Sequence, residues 1–150
     1  MRTLTLTTEI RGQAGEVFEL LTDLREYGRW LESSAEYSGT VDISEGEIRP
    51  GTTYAEHTSA GIRRGTVTEL RAPELVVFHQ PMHLRPALAG VIDIIVKYTL
   101  RQEDENVHIE RDVQIGLPWS LKLAGPLVLG RFRRESDRTL RALKAFVEKE

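Results

Sequence analysis

The chain has 150 residues, 40% of them apolar and 29% charged, with a net charge of −3 and no cysteine. That length and mix suit one globular domain over residues 1–150, not a disordered or membrane chain. The acidic balance speaks against general nucleic-acid binding, and the lack of cysteine excludes disulfides and thiol catalysis.

Met1–Thr8 lacks the apolar core of a signal peptide, and no apolar run approaches a membrane span. A cytoplasmic location without membrane insertion is therefore the expectation. Leu4, Leu6, Thr8 and Ile10 recur at period two with threonines between them, which predicts a first strand over 3–10. Past Gly12, Val17, Phe18, Leu20, Leu21 and Leu24 fall at helical spacing, with Glu16 well placed in the first turn. Leu24–Leu31 predicts a second, short helix whose apolar side is Tyr27, Trp30 and Leu31. From Ser33 to Gln80 the pattern predicts short strands near 36–43, 52–59, 62–71 and 75–82, with turns at Pro50-Gly51, Ser59–Gly61 and Ala72–Glu74.

Val91–Gln102 alternates with Ile92, Ile94, Val96, Tyr98 and Leu100 on one face. After the acidic turn 103–106, Val107, Ile109, Arg111, Val113 and Ile115 alternate in the same way. Two such runs around a short turn predict an antiparallel hairpin with one dry face. Leu117-Pro118 ends it, and Trp119–Lys149 reads as mostly helix. Gly125-Pro126 interrupts its first third and sets 119–125 apart as a kink or separate turn. Val128, Phe132, Thr139, Leu140, Leu143 and Val147 share one side of this helix. The stripe Arg131, Arg134, Arg138 and Arg141, with Glu135 and Asp137 beside it, reads as a solvated face. The predicted fold class is α+β: a curved antiparallel sheet of about seven strands wrapped around a long C-terminal helix, with two short helices after the first strand.

Strand parity indicates which polar side chains face inward. A symmetric turn at 103–106 sets Tyr98 opposite Arg111. Carrying that parity back places Val76, Phe78, Gln80 and Met82 inside, then Val67 and Glu69, then Tyr54 and Glu56. A bulge would reverse part of this and bring in His57, Thr68 and His79 instead. Arg111, amid Val107, Ile109, Val113 and Ile115, cannot stay unpaired in a dry interior. It either meets a carboxylate, enolate or carbonyl oxygen of a ligand, or forms a salt bridge to Glu69 with its stem buried. Glu56 in an apolar pocket is the best acid–base candidate, and its alternative is a place on the wet rim. Trp30 and Trp119 either line a ligand mouth or fill core. The expected ligand-binding set is Tyr54, Glu56, Phe78, Gln80, Tyr98, Arg111, Trp119, Val128 and Phe132, and the catalytic candidates are Glu56, Arg111 and Tyr98. The four histidines lack metal-ligand spacing, and there is no phosphate loop or nucleophile elbow, so neither metal nor cofactor is expected.

Taken in order, these elements resemble the START-like helix-grip (SRPBCC) superfamily, and within it the bacterial polyketide cyclase/dehydrase and lipid-transport group. The resemblance spans the chain. It rests on Ala14-Gly-Glu-Val-Phe-Glu-Leu-Leu-Thr-Asp23, Tyr27 and Trp30, Pro50-Gly51-Thr52, Val67–Phe78, Val107–Val113, and the helix with Leu140-Arg-Ala-Leu-Lys144. It implies a deep apolar cavity between sheet and last helix, which members use for lipids, sterols, polyketides, hormones or other hydrophobic small molecules. Fold alone does not choose among these uses, and the resemblance supplies no catalytic motif. The leading expectation is binding, transport, sensing or sequestration of a hydrophobic or amphipathic small molecule, with Arg111 and Tyr98 orienting its polar end. The alternative is a polyketide aromatase/cyclase or dehydratase acting by acid/base chemistry in the same cavity. A third is a partner-binding module of chaperone-cofactor or antitoxin type, and homodimerisation stays open.

Overall fold

The computed structural model describes residues 1–149. The elements run β1 (Arg2–Arg11), α1 (Ala14–Thr22), a 3-10 turn (Leu24–Arg29), β2 (Thr40–Val41), β3 (Thr53–His57), β4 (Gly61–Arg71), β5 (Leu75–His79) and β6 (Met82–Leu84). Then come a 3-10 turn (Ala87–Ala89), β7 (Val91–Glu103), β8 (Asn106–Gly116), a 3-10 turn (Trp119–Leu121) and α2 (Gly125–Val147). All strand pairs are antiparallel, in the order β1-β8-β7-β5-β4-β3-β2, with β6 bridging β4 and β7. This is the helix-grip arrangement, an eight-stranded sheet around one long helix.

The β7–β8 hairpin is the spine of the sheet because its alternation is unbroken. Ile92, Ile94, Val96, Tyr98 and Leu100 are buried from one strand, and Val107, Ile109, Val113 and Ile115 from the other. Its register pairs Tyr98 with Arg111, as the symmetric turn predicts. α2 covers that face with Ser136, Thr139, Leu140 and Leu143 buried at three- and four-residue spacing. Pro126 lies in its first turn, where a missing N–H costs nothing, and the preceding 3-10 turn is separate from the helix. Tyr27, Trp30 and Leu31 are buried, as their spacing suggests.

Three local details depart from the sequence reading. The strand near 36–43 shrinks to Thr40–Val41. The run over 75–82 splits into β5 and β6 at Gln80-Pro81, since proline has no N–H for the ladder. A bulge in β4 between Val67 and Glu69 shifts the register against β5. Upstream of it Gly61, Arg63, Gly65 and Val67 are buried; past it Glu69 is exposed and Leu70 packs on the core instead. The expectation that Glu69 faces inward is thereby corrected: one inserted residue turns the rest of the strand over. The inserted Thr68 and the neighbouring strand's His57 are exposed, and His79 is half-buried, paired with Asp93 at 2.6 Å.

Candidate functional site

The space between sheet and helix is divided into two adjoining chambers. The inner one has a volume of about 60 Å³ and is lined by Tyr27, Tyr54, Phe78, Gln80, Tyr98 and Arg111, with Val96, Val113 and Thr139 among its other walls. The outer one, about 180 Å³, is lined by Ala60, Met82, Leu84, Ile92, Leu121 and Val128, with Glu36 and Arg131. Arg63, Phe132 and Glu135 belong to both walls and so stand between the two. The inner chamber holds room for only a few water-sized groups. Aromatic side chains take up the rest of its width.

Those aromatics form a braced row. Phe78 meets Tyr54 edge-on at 6.0 Å and Tyr98 edge-on at 6.4 Å, a favourable geometry for ring quadrupoles. Tyr54 can lie across β4 because Gly65 is opposite it, and a Cβ there would fall inside the Tyr54 ring. The Tyr54 hydroxyl donates to Gln80 Oε1 at 2.6 Å. Among the described residues the Gln80 amide nitrogen has no acceptor, so it remains a donor for whatever enters.

Arg111 projects from β8 with its guanidinium 5.2 Å from the centre of the Tyr98 ring. It donates to the Tyr98 hydroxyl and, through Nε, to Ser136 Oγ of α2 at 3.0 Å. Its other N–H groups meet no acceptor among the described residues. The remaining charged groups in the chamber walls are matched. Glu56 Oε1 lies 3.1 Å from Arg63 Nε, and Glu135 Oε1 lies 2.6 Å from Arg138 Nη2. Glu36 Oε1 is 3.6 Å from Arg131 Nε. Among the described residues, Arg111 is thus the one charged wall residue without a counter-ion. The salt bridge to Glu69 considered from sequence does not form, because the bulge has turned Glu69 outward, where it pairs with Arg71 at 3.6 Å.

Glu56 is inside the cavity wall and not on a wet rim, but both its oxygens are committed. Oε1 accepts from Arg63, and Oε2 accepts from Thr40 at 3.2 Å. Arg63 also donates to the Glu36 carbonyl at 2.8 Å, which ties the segment before β2 to the sheet. Burial holds the phenols of the site in their neutral form. Burial pushes Tyr98 up, with the adjacent Arg111 charge and hydrogen bond working against it. Burial also holds Tyr27 and Tyr54 well above the ordinary phenol value, with the Glu56 charge adding to the rise at Tyr54.

Of the residues expected from sequence, the structure brings Tyr54, Glu56, Phe78, Gln80, Tyr98, Arg111 and Phe132 to the inner chamber and Val128 to the outer one. Trp119 lines neither: it is 90% exposed, on the turn before α2. Sequence reasoning missed Arg63, Tyr27, Tyr37, Ser136 and Glu135. Arg63 was one register step away: a tip at 59–61 sets Arg64 opposite Glu56, and the observed hairpin is one residue tighter, which brings Arg63 there. The others depend on how helix and loop dock, which parity does not address.

The sequence profile of the family described as "Polyketide cyclase / dehydrase and lipid transport" matches residues 1–148. No curated protein matches the chain in sequence. Among solved structures the chain is similar to protein MLL2253 from Mesorhizobium loti (TM-score 0.76, 13% identity, 99% of this chain and 98% of that one). It is also similar to the Aha1 dimer from Colwellia psychrerythraea (0.71, 15%, 99% and 98%) and to CalU16 from Micromonospora echinospora (0.66, 14%, 97% and 74%). At these identities the likenesses speak for the fold.

Proposed function

This chain belongs to the polyketide cyclase/dehydrase and lipid-transport family, and we propose that it binds an amphipathic small molecule bearing an acidic or carbonyl head group. The head lies in the inner chamber against Arg111, Tyr98 and the Gln80 amide. The apolar body passes Phe132 into the outer chamber. The observation that carries this reading is the unmatched Arg111, half-buried in a wall whose other charges are all paired. A guanidinium so placed favours an anionic or strongly polar oxygen, because no protein carboxylate competes for it.

The alternative, acid/base catalysis on a polyketide, draws support from family membership and from a carboxylate in the wall. It needs a proton acceptor, however. Glu56 has both oxygens engaged, and burial keeps the tyrosines as neutral phenols. Binding is therefore the stronger reading.

Calorimetric titration with a carboxylic acid and the alcohol of the same chain length tests it. The acid is expected to bind at least tenfold more tightly, and the difference to vanish in Arg111→Met. Equal affinity for both would remove Arg111 as the head-group site. Loss of turnover on a polyketide substrate in Glu56→Gln, with binding retained, would favour the catalytic alternative.

A further inference from the structure

The most exposed apolar side chains of the protein are gathered at one place, beside the outer chamber. Leu88 is 96% exposed, Trp119 90%, Leu123 102% and Leu127 76%. The turn holding Leu88 and the turn holding Trp119 are in contact. Ser120 Oγ donates to the Ala89 carbonyl, and a Cβ on Gly90 would lie 3.0 Å from Pro118 Cβ. Leu123, just before α2, and Leu127, in its first turn, follow on in the chain and are exposed as well. Their neighbours Leu121 and Val128 point the other way, into the outer chamber. The apolar projections therefore rim the chamber through which an apolar ligand would pass.

Charge marks the same place. Leu84–Ile92 and Leu117–Arg134 contain no aspartate or glutamate, while carrying Arg85, Lys122, Arg131, Arg133 and Arg134. Arg131 is partnered by Glu36 and Arg85 donates to the Thr58 carbonyl at 3.2 Å. Lys122, Arg133 and Arg134 are exposed and form no ion pair among the described residues. The two carboxylates of the adjoining chamber wall, Glu36 and Glu135, are paired with Arg131 and Arg138, so in a chain of net charge −3 the unpaired charge carried by these two stretches is positive. Leucines and a tryptophan projecting into solvent, framed by lysine and arginine, are what an anionic lipid interface rewards: the rings and branches enter the head-group zone and the cations meet phosphates.

We propose that this end of the molecule docks on an anionic membrane surface, resting on it without crossing it. No helix among the described residues is long and apolar enough to span a bilayer. The same face applied to a second copy would set like charges against each other, so the lipid surface is the better-matched occupant. The inference stands independently of which ligand the chambers take.

The two tryptophans make the test direct. Trp30 is buried and Trp119 exposed, so a change of emission on adding vesicles reports Trp119. With vesicles of phosphatidylcholine containing phosphatidylglycerol, the emission is expected to shift to the blue and the protein to co-sediment. Partition onto pure phosphatidylcholine, or onto the anionic vesicles in high salt, is expected to be at least tenfold weaker. Leu123→Ser/Leu127→Ser is expected to lower partition at least tenfold with the melting temperature unchanged, both side chains being exposed. No partition, equal partition onto neutral vesicles, or partition indifferent to the double substitution would overturn the proposal. So would a lipid-free dimer, seen by sedimentation velocity, that the double substitution dissociates. Acid binding measured without vesicles reports on the chambers alone, so a failure there leaves the docking surface standing and a failure here leaves the chambers standing.

Discussion

Glu56 and Arg63 face each other across the β3–β4 hairpin, with Arg63 Nε 3.1 Å from Glu56 Oε1 and both side chains almost wholly buried. The pair lies in the wall of the inner chamber and neutralises the only buried carboxylate of the sheet among the described residues.

Breaking that pair on one side orphans a buried charge. Arg63→Met is expected to lower the free energy of unfolding by about 3 kcal/mol, and the double substitution Glu56→Leu/Arg63→Met by much less, because the desolvation cost goes with the charges. Urea denaturation of the single and double variants measures this. A double variant as unstable as the single one would mean that lost packing, not an orphaned carboxylate, sets the cost.

Arg111 is expected to matter for ligand more than for folding, since its partners are two hydroxyls, Tyr98 and Ser136. Arg111→Met should weaken binding of a carboxylic acid by about 2 kcal/mol, the worth of a charge-assisted hydrogen bond. Arg111→Lys should recover only part of this, as an ammonium does not reproduce the planar fork. Calorimetry on both variants decides it; full recovery by lysine would indicate a purely coulombic contact.

Gly65 is required by the ring lying over it. Gly65→Ala is expected to cost about 2 kcal/mol by overpacking against Tyr54, and to break the Tyr54–Gln80 hydrogen bond. Combining it with Tyr54→Leu should cost less than the two separate effects added together. Strict additivity in a thermal or urea series would rule out the contact.

All four tyrosines have raised phenol pKa values, burial being the largest cause in each. A raised acid favours the folded state fully below the unfolded value of about 10, and that contribution is lost as pH rises through the folded value. The expected result is a native protein whose phenolate absorbance near 295 nm stays low at pH 10 and then rises together with loss of structure. Tyrosines about half ionised at pH 10 with native circular dichroism intact would contradict the burial of these rings.

Much of this protein is written in periodicities. Period-two alternation over 91–102 and 107–115 set the hairpin, its inner face and the Tyr98–Arg111 pairing, because a strand's side chains have only two directions in which to point. Helical spacing over 14–24 and along the last helix set what each covers, and Gly125-Pro126 set where that helix begins. The inward placement of Tyr54, Glu56, Phe78 and Gln80 followed from the same parity.

What required three dimensions was whatever depends on a register shift or on docking. The β4 bulge reversed Glu69, because one inserted residue exchanges the two faces of all that follows it. Counter-ion choice was decided across strands: Glu56 took Arg63, which left Arg111 to hydroxyls and to any ligand. The division of the cavity came from Phe132 and Glu135 standing between sheet and helix, and the outward turn of Trp119 came from a 3-10 segment. Alternation specifies a direction for each side chain along its own element; which group that side chain meets is settled only when the elements pack.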